Sequence, residues 1–297
     1  MRNVLCTVFV ASALATPLSA QHPDMPGMDM HHHSNAPLSA TAKRQIDSVA
    51  LAAARLAAPT AATAAGFRPV FGWIPTMGVH YVAMNRMVKS EQSTLGDPSN
   101  VMFSRIAGKD SLVGAAFAYM TAVNDSSPPK LFDGAPGWHE HPDLAPPGQR
   151  LVMLHVWFVP SPDGPFAGTN PNLPFWAAGL DAPDSLRMHD AAFSMRVRKA
   201  GLALAEVTDT TAIFRNLEQR PDVRPILVAQ RDSIRALIPE FQAAQKAHDS
   251  ARWDRAALEA AGHWDAIYAG YLASAKTAMG KERMERYISM LLGQHGE

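Results

Sequence analysis

The chain has 297 residues, with 27 basic and 27 acidic side chains, 12 histidines and one cysteine. The balanced charge gives no electrostatic reason to expect nucleic acid or an anionic membrane surface as partner. A lone cysteine excludes a disulfide framework within the chain. At 47% apolar residues there is enough hydrophobic material for one large domain or two smaller ones.

The start, Met1-Arg2-Asn3, is a short basic segment, followed by an apolar run from Val4 to Ala15 and then Pro17-Leu18-Ser19-Ala20. Such an apolar run is too short to cross a bilayer, which takes roughly twenty residues. The three-part pattern reads as a signal peptide over residues 1–20, cleaved before Gln21, and predicts a secreted or periplasmic protein. Cys6 falls inside it, so the mature chain is expected to carry no thiol. No later stretch is apolar for long enough to span a membrane, so no transmembrane segment is expected after signal removal.

Residues 21–38 read as a disordered Met/His-rich leader, since Pro and Gly interrupt it and core-forming residues are scarce. The thioethers of Met25, Met28 and Met30 suit Cu(I), and the imidazoles of His22, His31, His32 and His33 suit Cu(II), zinc or nickel. The tract resembles the Met/His-rich leaders of exported copper-handling proteins. Its other reading is a flexible soluble spacer.

A helix is predicted from Ser39 to Ala65, with Ser39 or Thr41 as N-cap, a break or kink at Pro59 and a stop at Gly66. From Phe67 to about Leu180 the pattern changes to short apolar runs between Pro and Gly. Val79–Val82, Val101–Phe103, Leu112–Met120 and Leu151–Phe158 read as strands, and Ser161–Pro165 as a turn. From Pro183 onward the chain reads as helical. One helix is expected over Asp184–Val207, a short one over Thr210–Glu218, and an amphipathic one carrying Val223, Leu227, Ile234 and Phe241 with a kink at Pro239. Two more carry Trp253, Trp264 and Tyr271, then Tyr287, Ile288 and Leu291. The fold class expected is α+β: an N-terminal helix, a small, mostly antiparallel sheet or half-barrel, and a C-terminal helical segment. The sheet-bearing part takes residues 39–182 and the helical part 183–297.

Four histidines stand in the β-rich part: His80, His139, His141 and His155. Strand side chains alternate between faces. Leu154, Val156 and Phe158 therefore share one face, with His155 and Trp157 opposite. His139 and His141 in Trp138-His139-Glu140-His141 point the same way if extended, and Glu140 points away. Neutral imidazoles suit zinc, copper, nickel or iron, and three of them with an open position make a catalytic-type site. These four are the candidate core metal ligands. Alternatively, the strand histidines are hydrogen-bonded core groups, and the other two stand in an exposed loop. The segment Pro142-Asp143-Leu144 after the pair departs from the cupin pattern.

There is no Gly-x-Ser-x-Gly elbow, glycine-rich phosphate loop, His-Glu-x-x-His or catalytic cysteine. No catalytic residue or organic cofactor is indicated. An enzyme reading would require an open metal site, and a metal-dependent hydrolase or oxidase is its form.

Several blocks occur in order: Pro75-Thr76-Met77-Gly78-Val79-His80-Tyr81-Val82, Leu112–Phe117, Pro129–Gly134, Leu154-His155-Val156-Trp157-Phe158 and Gly164–Asn172. Together they resemble a group of exported bacterial proteins of unknown function, with an N-terminal helix followed by a small β-rich domain. Thr76 stands where that group has glycine, and a cysteine common after its Asn-Pro block is missing. The resemblance implies export and this fold division, without an activity. Function then rests on two expectations: a metal-binding protein for copper or zinc, or a periplasmic module that binds a non-metal small ligand or another protein.

Overall fold

The computed structural model describes residues 38–87, 95–124, 128–134, 138–141, 144–208, 221, 223–275 and 277–293. The signal and leader segments and the short helix expected at 210–218 lie outside them. The fold is α+β, as expected. Six strands, β1 (Arg68–Ile74), β2 (Gly78–Val82), β3 (Asn100–Ile106), β4 (Lys109–Ala122), β5 (His139–Glu140) and β6 (Gln149–Trp157), form an open sheet in the order β1-β2-β3-β4-β6-β5. Every neighbouring pair is antiparallel. The described helices are α1 (Ala40–Ala54), α2 (Pro59–Ala64), α3 (Leu173–Ala177), α4 (Ser185–His189), α5 (Ser194–Thr208), α6 (Arg224–Ala247), α7 (Ser250–Ser274) and α8 (Ala278–Leu291). None of them is long and apolar enough to cross a membrane.

The break expected near Pro59 divides the leading helix into α1 and α2. Ser39 caps α1 by accepting from the Ala42 amide. The residue before a proline is pushed out of the helical region, so Ala58 is extended (φ −126°, ψ 149°) and Pro59 starts α2 instead of kinking a continuous rod. Gly66, at φ +92°, ends α2 in a conformation that favours glycine. Val49 and Ala53 of α1 pack on one sheet face, against Ala115, Phe117, Leu154 and Val156 at one end and Val101 and Phe103 at the other.

The helix expected over 184–207 is also divided. The Asp190 carboxylate accepts from the Ala192 amide, and its carbonyl accepts from Phe193 and Ser194. This local turn competes with helix continuation, as short acidic side chains do. Helix α6 runs through Pro239, and His248 in the left-handed region (φ 52°) turns the chain into α7, where Asp249 accepts from the Arg252 amide. Phe175, Leu227, Phe241, Trp253, Trp264 and Tyr271 fill the helical core. Arg198 of α5 donates to both oxygens of Asp163 (2.7 and 2.8 Å), tying α5 to the loop after β6.

Candidate metal centre

Ladder register sets the second face of the sheet. His80 lies opposite Met102, Met102 opposite Gly114, and Gly114 opposite Trp157. In the adjacent row Val82, Asn100, Ala116 and His155 follow one another across the same four strands. His139 lies opposite Met153, which faces Ala118. Cross-strand partners share a face, so His80, His139 and His155 lie on the side away from α1. The ladder continues past β5 through the His141 amide, which donates to the Leu151 carbonyl.

His80 and His155 are three strand spacings apart, roughly 14 Å at about 4.8 Å per strand. Their side chains nonetheless meet, with 3.3 Å between the two Nε2 atoms. Two strands lie between them: on this face β3 carries Asn100 and Met102, and β4 only Gly114, Ala116 and Ala118, so the imidazoles lean inward over a face that is small on the β6 side. The rings of His139 and His155 lie 4.7 Å apart and those of His139 and His141 4.9 Å apart. The four histidines therefore form one continuous cluster, His80–His155–His139–His141.

His155 is fully buried and His80 7% exposed. His155 Nδ1 donates to the Gly168 carbonyl at 2.7 Å. A carbonyl only accepts, so Nδ1 carries a proton and Nε2 is the atom directed at His80. A backbone acceptor on the far nitrogen is also how metal-ligating imidazoles are commonly held. His80 is kept neutral: its pKa is pulled from 6.5 to about 4, first by burial and then by repulsion from a charged His141. Its Nδ1 is buried without a hydrogen-bond partner. Asn100, in the row of His155, is 2% exposed with an unpartnered Oδ1.

Two nitrogens each about 2.0–2.1 Å from a tetrahedral ion stand roughly 3.3–3.4 Å apart. The His80–His155 pair has that separation. As the side chains stand, no group of three or more His, Cys, Asp or Glu among the described residues is arranged to hold a metal ion. His139 and His141, both half-buried at the sheet edge, would have to turn toward the buried pair to complete a ligand set.

Glu140 points to the opposite face, where its Oε2 accepts from Arg150 Nη2 at 3.3 Å. Asp143 and the leader donors His22, Met25, Met28, Met30, His31, His32 and His33 lie outside the described residues. His189 is exposed on α4, and His263 on α7 contacts Gln230. Sequence reasoning missed β5, the Gly168 carbonyl and the small-residue strip. Of these, only the strip had a signal, the alternation Gly114-x-Ala116-x-Ala118 inside an otherwise bulky strand. No protein-family model matches this chain, nor does any curated protein or solved structure.

Proposed function

We propose that the chain is an exported metal-binding protein for copper or zinc, with a centre built from His80, His139, His141 and His155. The observation that supports this most is the pair of buried imidazole nitrogens 3.3 Å apart, one of them oriented by a backbone carbonyl, with two further histidines in line beside them. His80, buried and neutral, need not lose a proton to bind, which favours nitrogen-preferring ions. The leader histidines and methionines would serve as a second, independent binding element. The test is metal content by mass spectrometry after loading with copper or zinc. The intact chain is compared with one in which the leader donors are replaced and one with His80, His139, His141 and His155 changed to alanine. One equivalent retained without the leader donors and lost with the four core histidines is the expected result. Metal that follows the leader alone would refute the core centre.

One observation favours the second reading, a small-ligand module. A cavity of about 280 Å³ opens between α5, α7 and α8, lined by Lys199, Trp264, Tyr268, Glu285 and Leu292 among others, and none of the four histidines borders it. A ligand there would change Trp264 fluorescence in a chain whose core histidines are absent.

A further inference from the structure

Resting on the reading of the four histidines as a metal centre, we infer that the centre takes copper as Cu(I), with the thioether of Met153 as a soft donor beside the imidazoles. The ladder places Met153 directly opposite His139. It also stands two residues before His155 on β6, hence on the same face. Met153 is thus flanked by histidines both across and along the sheet. It is 7% exposed and packs with Ala116, Ala118 and Leu151. The smallness of Ala116 and Ala118 leaves the space above β4 to the side chains of β6.

Met153 is one of several sulfurs on this face. Met102 is the ladder partner of His80 and is completely buried, and Met87 and Met120 pack against the Ala116–Met153 cluster. By contrast, the positions of β2, β5 and β6 and the Gly114–Ala122 segment of β4 that share the face carry no carboxylate and no thiol. The only acid in β5, Glu140, is turned to the far side and engaged by Arg150. Carboxylate donors that would favour divalent ions are therefore absent from these strand positions. Imidazole and thioether are present, and that combination selects Cu(I) over zinc. Buried methionine also serves as an adaptable core filler, and the two roles separate by measurement.

The experiment uses the full chain with the leader donors silenced (Met25, Met28 and Met30→Leu; His22, His31, His32 and His33→Gln). Cu(I) is titrated anaerobically against a chromophoric Cu(I) chelator, zinc is titrated separately, and the copper K-edge absorption spectrum of the loaded chain is recorded. The expected result is one Cu(I) per chain with both nitrogen and sulfur in the coordination shell. Met153→Leu, which conserves volume, should weaken Cu(I) by at least roughly tenfold and leave zinc within about twofold. Met120→Leu, separated from the histidines by Leu151, should change neither. A nitrogen-only shell, with Cu(I) affinity unchanged by Met153→Leu, would overturn this inference and leave the four-histidine centre standing. Failure to bind either metal would remove both. If Met153→Leu does not fold, the absorption spectrum of the parent chain decides alone.

Discussion

Adding one methyl group at Gly114 tests the packing of the histidine face directly. A Cβ at Gly114 would lie 2.6 Å from the Met102 methyl, 2.7 Å from the Val156 carbonyl oxygen and 3.3 Å from a Trp157 ring carbon. The methyl is the end of a flexible side chain, but Met102 is fully buried and has nowhere open to go. The carbonyl is backbone in the β4–β6 ladder, and moving it pulls β4 and β6 apart. Overpacking of this kind costs about 1–3 kcal/mol. Alanine recovers about 0.5–1 kcal/mol of that through the backbone freedom glycine loses on folding. Gly114→Ala should therefore destabilise by about 1–2 kcal/mol, lowering Tm by about 2–8 °C for a chain of this size. The matched control is Gly262→Ala, on an exposed helical position with nothing within 4 Å of the added carbon. There the change should stabilise by up to about 1 kcal/mol. Thermal unfolding of both variants in chelator, followed by circular dichroism, gives the two signs. A Gly114→Ala protein as stable as its parent would refute the close packing of Met102 and Trp157 over Gly114.

Acid should weaken the metal-free fold through His80. Its pKa is about 4 in the folded chain, below the ordinary 6.5, so the unfolded chain takes up the proton first. This stability is complete above pH 6.5 and is lost as pH falls toward 4, on the order of 3 kcal/mol at the limit. Urea unfolding at several pH values in chelator should show a shallower slope for His80→Gln, and equal slopes would sink the assignment. Glu206 accepts from Arg231 at 2.7 Å and from the Tyr271 hydroxyl at 3.0 Å, with both charged partners largely buried. Glu206→Gln leaves a guanidinium without its counter-charge and should cost about 2–4 kcal/mol, read as a lower urea midpoint. Glu140 sits between His139 and His141 and is itself half exposed, but its partner Arg150 is 5% exposed. Glu140→Gln should therefore both reduce metal affinity by about tenfold and lower stability by about 1–2 kcal/mol, as the buried guanidinium loses its counter-charge. Unchanged affinity would show that the pair does not position the histidines.

Much of the fold was legible because its signals are local. Alternation in Leu151–Phe158 assigned His155 and Trp157 to the face opposite Leu154 and Val156, and the ladder agrees. The 3.6-residue pattern around Val223–Phe241 gave α6, and Asp249 caps the helix carrying Trp253, Trp264 and Tyr271. Strand β1 was not read because Gly72 and Pro69 interrupt it. It bulges between Val70 and Ile74, where Phe71 takes φ 65°. Strand β5 is two residues long, so its extended state comes from pairing with β6, and no propensity within the sequence reports that.

The site itself depends on strand order, which alternation within a strand does not encode. His80 and His155 are 75 residues apart in sequence, and their meeting requires that β2 and β6 lie on the two sides of β3 and β4. On β4 the side chains facing the histidines are small, Gly114, Ala116 and Ala118, while Phe117 fills the core under α1 on the opposite face and Ala116 lies opposite His155. A strand whose only task was to bury a sheet between two layers would gain by filling both faces, at about 25 cal/mol for each Å² of apolar surface removed from water. β4 forgoes that on one face at Gly114, Ala116 and Ala118, where Met102 and Trp157 close over Gly114 and Met153 packs against Ala116 and Ala118. The small residues therefore shape the histidine face as much as the histidines do, and enlarging Gly114 presses first on Met102 and on the β4–β6 backbone.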